Sequence, residues 1–153
     1  MSSEFKDLVA KMLRGLGFEV HQRISVPIAS RVYYELDQLC LSNELAMNDD
    51  DSFKSRVIWV ETKLRSNGGH VRKEVLLKLL GAFTCLFYKE FDESNGPDAI
   101  WVVTNGNFSH SAKNLAKALN EGLGREFFVL VDGNKLKGLI SAQVRTPIGS
   151  RTK

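Results

Sequence analysis

The chain has 153 residues, 43% of them hydrophobic and 25% charged, with a net charge of +3 and a pI near 8.9. This is the balance of one ordinary globular domain, large enough to bury a core without disulfides or a structural metal. No apolar run reaches transmembrane length and the N-terminus is polar, which excludes a membrane partner and leads us to expect a cytoplasmic protein. The mild excess of positive charge permits a nucleic-acid partner without demanding one. Cys40 and Cys85 lie in apolar segments and lack metal-ligand spacing. Two free, buried thiols in a reducing compartment are expected.

The first helix is predicted from Ser3 as N-cap, with Glu4 and Asp7 in the first turn, where negative charge suits the helix dipole. Phe5, Leu8, Val9, Met12, Leu13 and Leu16 recur at helical spacing, and Gly17 closes the pattern. Phe18 to Val26 alternates as a half-buried strand, and Pro27 to Ser30 reads as a hairpin turn. A second strand from about Arg31 to Ser42 would put Glu35, Asp37 and Leu39 on one face. Asn43 to Ser55, with its Asp49-Asp50-Asp51 run, reads as a solvated loop; the alternating carboxylates and closing Glu of a calcium loop are missing.

The third strand, Val57 to Arg65, places Val57, Trp59, Glu61 and Lys63 on one face, so a carboxylate and an ammonium emerge side by side at its end. Ser66 to Gly69 then breaks the chain, and a helix is expected from near His70 through Phe87 with a wide apolar stripe. Asp92 to Asp98 reads as a polar loop. Ala99 to Thr104 is entirely apolar up to its closing threonine, as expected of a strand covered on both faces. Ser109 caps a helix carrying Ala112, Leu115, Ala116 and Leu119. Phe127 to Val131 is a further strand, and Asp132-Gly133 turns into a short last helix with Leu136, Leu139 and Ile140. From Ala142 the chain is basic and polar, so residues 1–141 are expected as one domain and 142–153 as a tail or linker. The fold class is α/β, with two antiparallel steps followed by strand-helix-strand crossovers in a central mixed sheet flanked by helices.

If the second and third strands are antiparallel neighbours, Asp37 and Glu61 can converge on one point beside Lys63. Two carboxylates with open water positions suit Mg²⁺ or Mn²⁺. Held together without metal they should repel, so at least one should resist ionisation. The plainer reading is a strand that ends and lets its last side chains meet water.

Asp37 followed by Glu61-Thr62-Lys63 resembles the D…(D/E)-x-K motif of the restriction-endonuclease-like, or PD-(D/E)xK, nucleases. The resemblance extends to the group related to the Mrr restriction enzymes, over roughly Glu4 to Ile140. It is carried by Glu4-Phe5 with Leu16-Gly17-Phe18-Glu19-Val20, by Val102-Val103-Thr104 ahead of Phe108-Ser109 with Ala112 and Ala116, and by Val129 to Gly133 with Leu136. It implies the restriction-endonuclease-like core, helix-β-β-β-helix-β-helix-β, and a Mg²⁺-dependent (or Mn²⁺-dependent) DNA endonuclease. Asp37 and Glu61 would bind the metal, Lys63 would assist the water or phosphate, and Glu4 would be an accessory acid. The sequence departs from the family where Tyr33-Tyr34-Glu35-Leu36 replaces a glycine-rich approach to the metal-binding aspartate, and where acidic residues 49–51 lie between the two site strands; these are expected to point away from the site or to gate it.

Arg65, Asn67, His70, Arg72 and Lys73 follow the third strand, and bases at a helix start oppose its dipole, which favours phosphate binding over a merely solvated face. Lys113 and Lys117 read as solvated, Trp59 and Trp101 as core, and His21 and His110 have no assignable partners. No nucleic-acid reading module accompanies the site, so a specificity or sensor domain or subunit is expected elsewhere. The alternatives are a Holliday-junction or structure-specific resolvase on the same core, acting as a homodimer, and a non-catalytic member that binds nucleic acid or protein.

Overall fold

The computed structural model describes residues 2–29, 31–42, 56–87 and 96–145. The expected loop over 43–55 with its acidic run, the first part of the loop over 92–98 and the end of the basic tail lie outside them.

The described chain runs α1 (Ser2–Gly15), β1 (Phe18–Ala29), β2 (Val32–Ser42), β3 (Arg56–Lys63), a 3-10 turn (Ser66–Gly68), β4 (His70–Val71), α2 (Lys73–Phe87), β5 (Ala99–Thr104), β6 (Asn107–Phe108), α3 (His110–Leu123), β7 (Phe128–Val131) and α4 (Gly133–Arg145). Five strands form one sheet in the order β1-β2-β3-β5-β7; β1, β2 and β3 are antiparallel, and β3, β5 and β7 parallel. This is the mixed sheet expected from the sequence. Val9, Met12 and Leu13 of α1 and Leu136 of α4 bury one face with Ile58, Val60 and Val103. Leu76, Leu79 and Phe83 of α2 and Ala112 and Ala116 of α3 bury the other with Trp59, Ile100 and Val102. No helix among the described residues is long and apolar enough to cross a membrane.

Several local expectations change. Ser3 lies inside α1, which already begins at Ser2, and the stripe is narrower than drawn: Leu8 and Leu16 are exposed while Ala10 is buried. Gly17 does close the helix, at φ 100°. The chain does not turn at Pro27, which stays in β1 opposite Tyr33. β1 is an edge strand, where an absent N–H is tolerated. His70-Val71 opens no helix; it pairs in parallel with Asn107-Phe108 as a separate two-stranded ladder, and α2 starts at Lys73. Cys40 is buried as expected, but Cys85 is exposed, because the buried side of α2 runs through Leu76, Leu79, Phe83 and Leu86. The expected boundary at 141 falls inside α4, which continues to Arg145.

One irregularity sets the position of the site. In β1, Val20 packs on the α1 side and Gln22 bonds Asp7 of α1, whereas Ile24 and Val26 pack on the α2 side. In β2, Cys40 and Gln38 face α1, yet Leu36 belongs to the α2 side. Strict alternation would keep each set on one face. Both strands therefore exchange faces between the pairs Gln22↔Gln38 and Ile24↔Leu36, where Arg23 adopts φ 57°. A left-handed arginine inside a strand is strained. Asp37 lies at the same exchange, so it does not share a simple face with Glu35 and Leu39.

A side chain covers the start of β7 at the far edge of the sheet. Asn120 Oδ1 accepts from Phe127 N and Phe128 N, each at 2.9 Å, and its Nδ2 donates to Phe128 O at 2.9 Å.

Candidate active site

β2 and β3 pair from Ser42↔Arg56 to Gln38↔Val60 and then part, while β3 continues beside β5 through Glu61↔Val102 and Lys63↔Thr104. The divergence leaves Thr62 N–H without a backbone acceptor on the β2 side. Asp37 supplies one: its Oδ2 accepts from Thr62 N and from Thr62 Oγ1, both at 2.9 Å. A buried amide must be satisfied by something, and here a carboxylate does it. That bond ties Asp37 to the chain immediately after Glu61.

Glu61 and Trp59 share a face of β3, as the period-two reading expects, and Trp59 Nε1 donates to Glu61 Oε1 at 3.3 Å. Lys63 Nζ stands 3.5 Å from Glu61 Oε2. Glu61 is 8% exposed. Burial raises its pKa from 4.5 to about 7, the Asp37 charge adds to the rise, and Lys63 and the Trp59 hydrogen bond oppose it. Glu61 thus resists ionisation. Tyr34 packs edge-on against Trp59 with ring centroids 5.9 Å apart. Its phenol pKa is raised by burial first and then by the charges of Glu61 and Asp37. Tyr34 therefore stands where the glycine-rich approach was missing from the sequence.

A further cation enters from α1. Lys6 Nζ lies 3.0 Å from Asp37 Oδ1. Glu4, the expected accessory acid, is exposed, and among the described residues no ion pair joins it to this group. Lys6 was invisible in the sequence because it lies beside the apolar stripe, where a lysine reads as solvated. Thr62 was visible only as the middle residue of Glu-x-Lys.

The loops beyond the strand ends are stitched together. Asn105 accepts from Arg65 N at 2.7 Å and donates to Arg65 O at 2.8 Å. A Cβ on Gly106 would collide with the Gly69 carbonyl, and one on Gly133 with the Asn105 carbonyl, so only glycine permits these approaches. Arg65 is held by its backbone and half-buried; Asn67 is exposed in the 3-10 turn at φ 54°, a conformation asparagine tolerates. His70, Arg72 and Lys73 line a cleft of about 420 Å³ with Glu74, Ser109, His110 and Ser111, at the starts of α2 and α3. Ser109 caps α3 as expected, accepting from Ala112 N at 3.1 Å. His21, without an assignable partner in the sequence, stands 2.7 Å from Glu19. Lys113 and Lys117 are exposed, and Trp59 is fully buried while Trp101 is half-buried.

A family model described as restriction endonuclease, Mrr_cat, matches residues 1–140. The chain belongs to the Mrr_cat family. Three solved structures resemble the Mrr_cat domain described here. The protein of unknown function AF1548 matches with a TM-score of 0.64 at 17% identity, over 91% of this chain and 65% of its own. The MspJI restriction endonuclease, solved in complex with a 27-mer oligonucleotide, matches at 0.53 and 14%, over 94% of this chain and 28% of its own. The DNA modification-dependent restriction endonuclease AspBHI matches at 0.55 and 15%, over 97% and 33%. At these identities the likeness is one of fold. The chain spans less than two thirds of each of these relatives. No curated protein matches it.

Proposed function

We propose that this chain is a divalent-metal-dependent endonuclease domain that hydrolyses phosphodiester bonds in DNA. Asp37 and Glu61 would hold Mg²⁺ or Mn²⁺. Their donor set fits: hard carboxylate oxygens, few in number, suit an ion that keeps several waters. Such an ion supplies a water of lowered pKa and charge neutralisation at the phosphate. The raised Glu61 pKa supports the reading, because a carboxylate that ionises reluctantly alone gains most from a cation.

Lys63, a charged ammonium beside Glu61, would stabilise negative charge building on the phosphate and orient the attacking water. Thr62 fixes Asp37, Trp59 fixes one Glu61 oxygen, and both keep the acids in place before substrate arrives. Arg65, Asn67, His70, Arg72 and Lys73 would bind backbone phosphates beside the cut, with no sequence reading of their own. Target choice would then lie with a further domain or subunit, as the larger size of the structural relatives accommodates.

The single observation that supports this reading is the hydrogen bond that Asp37 Oδ2 accepts from Thr62 N, which anchors the second carboxylate to the residue that follows Glu61 at the parting of β2 and β3. The test is nicking of supercoiled plasmid with millimolar Mg²⁺ or Mn²⁺. Parent protein should cut, with Asp37→Ala, Glu61→Ala and Lys63→Ala each at least ~100-fold slower and EDTA abolishing the reaction. Equal cutting by the parent and all three variants would overturn the assignment.

A further inference from the structure

Asp37 has two carboxylate oxygens, and they are in different use. Oδ2 accepts from both Thr62 N and Thr62 Oγ1, which fills its two lone-pair directions. Oδ1 is the oxygen left for a cation, and Lys6 Nζ is the group beside it, at 3.0 Å. We propose that Lys6 is the resident counter-ion of the metal-free site and competes with the divalent ion for Asp37 Oδ1. The inference rests on the metal-dependent reading given above. It assigns Lys6 as a positioning residue that sets how tightly the metal binds.

The architecture of α1 supports this role. Gln38, next to Asp37, is fully buried, and its Nε2 donates to the Lys6 carbonyl at 2.7 Å. Among the described residues its Oε1 meets no donor. Burying an amide with half its hydrogen bonding unmet is unfavourable, and an aliphatic residue would suit that face better. What the amide does is pin the helix backbone at Lys6, which places the ammonium over Asp37. Lys6 is still 29% exposed along its side chain, so its flexible stem can swing into water without moving α1. An ammonium and a divalent ion repel at one oxygen, so the ion binds as Lys6 leaves.

The two carboxylates are thereby served by two lysines before metal arrives: Lys6 at Asp37 and Lys63 at Glu61. Only Lys63 has a place in the proposed chemistry. Lys6 holds Asp37 ready and yields.

Calorimetric titration of Mn²⁺ into metal-free protein, without nucleic acid, tests the proposal on the parent, Lys6→Met, Lys6→Arg and Glu61→Gln. Quenching of tryptophan emission by Mn²⁺ gives a second readout, since Trp59 bonds Glu61. Lys6→Met should bind Mn²⁺ on the order of five- to tenfold more tightly than the parent, the worth of removing one half-exposed competitor. Lys6→Arg, which restores the charge, should return the affinity to within about threefold of the parent. Glu61→Gln should bind far more weakly, which locates the ion. A merely structural Lys6 predicts weaker binding in Lys6→Met, the opposite sign. Should Lys6→Met fail to fold, Lys6→Gln removes the same charge and carries the same expectation. Equal or weaker binding by the charge-removed variant, with the parent binding normally, overturns the role of Lys6 alone. A parent that takes up no Mn²⁺ at millimolar concentration, or a Glu61→Gln variant that binds as the parent does, overturns the metal site and this inference with it.

Discussion

Replacing Glu61 with Gln should make the metal-free protein more stable at pH 8 than at pH 4.5 relative to the parent. The folded state holds the Glu61 proton more tightly than the unfolded chain does, with the pKa moving from 4.5 to about 7. For an acid raised in this way, there is no penalty below the unfolded pKa. The penalty grows as pH rises from about 4.5 to about 7 and is constant above. A rise of that size corresponds to ~3 kcal/mol at most. Glu61 is almost fully buried, so solvent screening reduces this little, although relaxation of Asp37 and Lys63 will. Glutamine never ionises and keeps an oxygen for Trp59. The stability advantage of Glu61→Gln should therefore grow by ~1–3 kcal/mol between pH 4.5 and pH 8, or ~2–10 °C in Tm for a domain of this size. Guanidinium denaturation of both proteins in EDTA across that range measures it, and packing changes that do not depend on pH cancel in the difference. Parallel curves for the two proteins would refute the claim that Glu61 is held under electrostatic strain.

Asp37→Asn should act in the opposite direction, because Asp37 is bonded to Lys6, Thr62 N and Thr62 Oγ1. An amide there faces the Lys6 ammonium with an N–H, and metal-free stability at pH 7 should fall by ~1–2 kcal/mol in denaturation curves. Asn105→Ala removes both bonds to the Arg65 backbone and should cost about 1–3 kcal/mol, with faster hydrogen exchange across residues 64–72 as the local readout. Charge removal at Arg65, Arg72 and Lys73 together, in a Glu61→Gln background, should weaken duplex DNA binding across sequences. The slope of log K against log salt should flatten by up to ~2.7 if each meets a phosphate; an unchanged slope returns them to the solvated face.

The fold was largely legible because its cues are periodic. The all-apolar run at Ala99 to Val103 could only be a covered central strand, and the stripe in α2 could only be a helix. Trp59, Glu61 and Lys63 came out on one face for the same reason. What escaped the reading has no period. His70-Val71 is too short a strand to alternate, and its partner comes from a distant loop. The exchange of faces at Arg23 and Asp37 carries no glycine to announce it. Lys6 reaches Asp37 through the packing of α1 on the hairpin, which depends on the buried Gln38. Residue type and spacing singled out the acids of the candidate site, but only the packed fold shows which lysine lies beside each.

Asn120 has a consequence for the margin of the sheet. An open strand edge is a template onto which another chain can add, and repeated addition leads to aggregates. At β7 the outward N–H and C=O of Phe128 are already engaged by Asn120. At the other edge, Pro27 gives β1 a residue with no N–H to offer. A strand added from outside would find Phe128 already bonded at one margin and a residue without an N–H in the strand at the other.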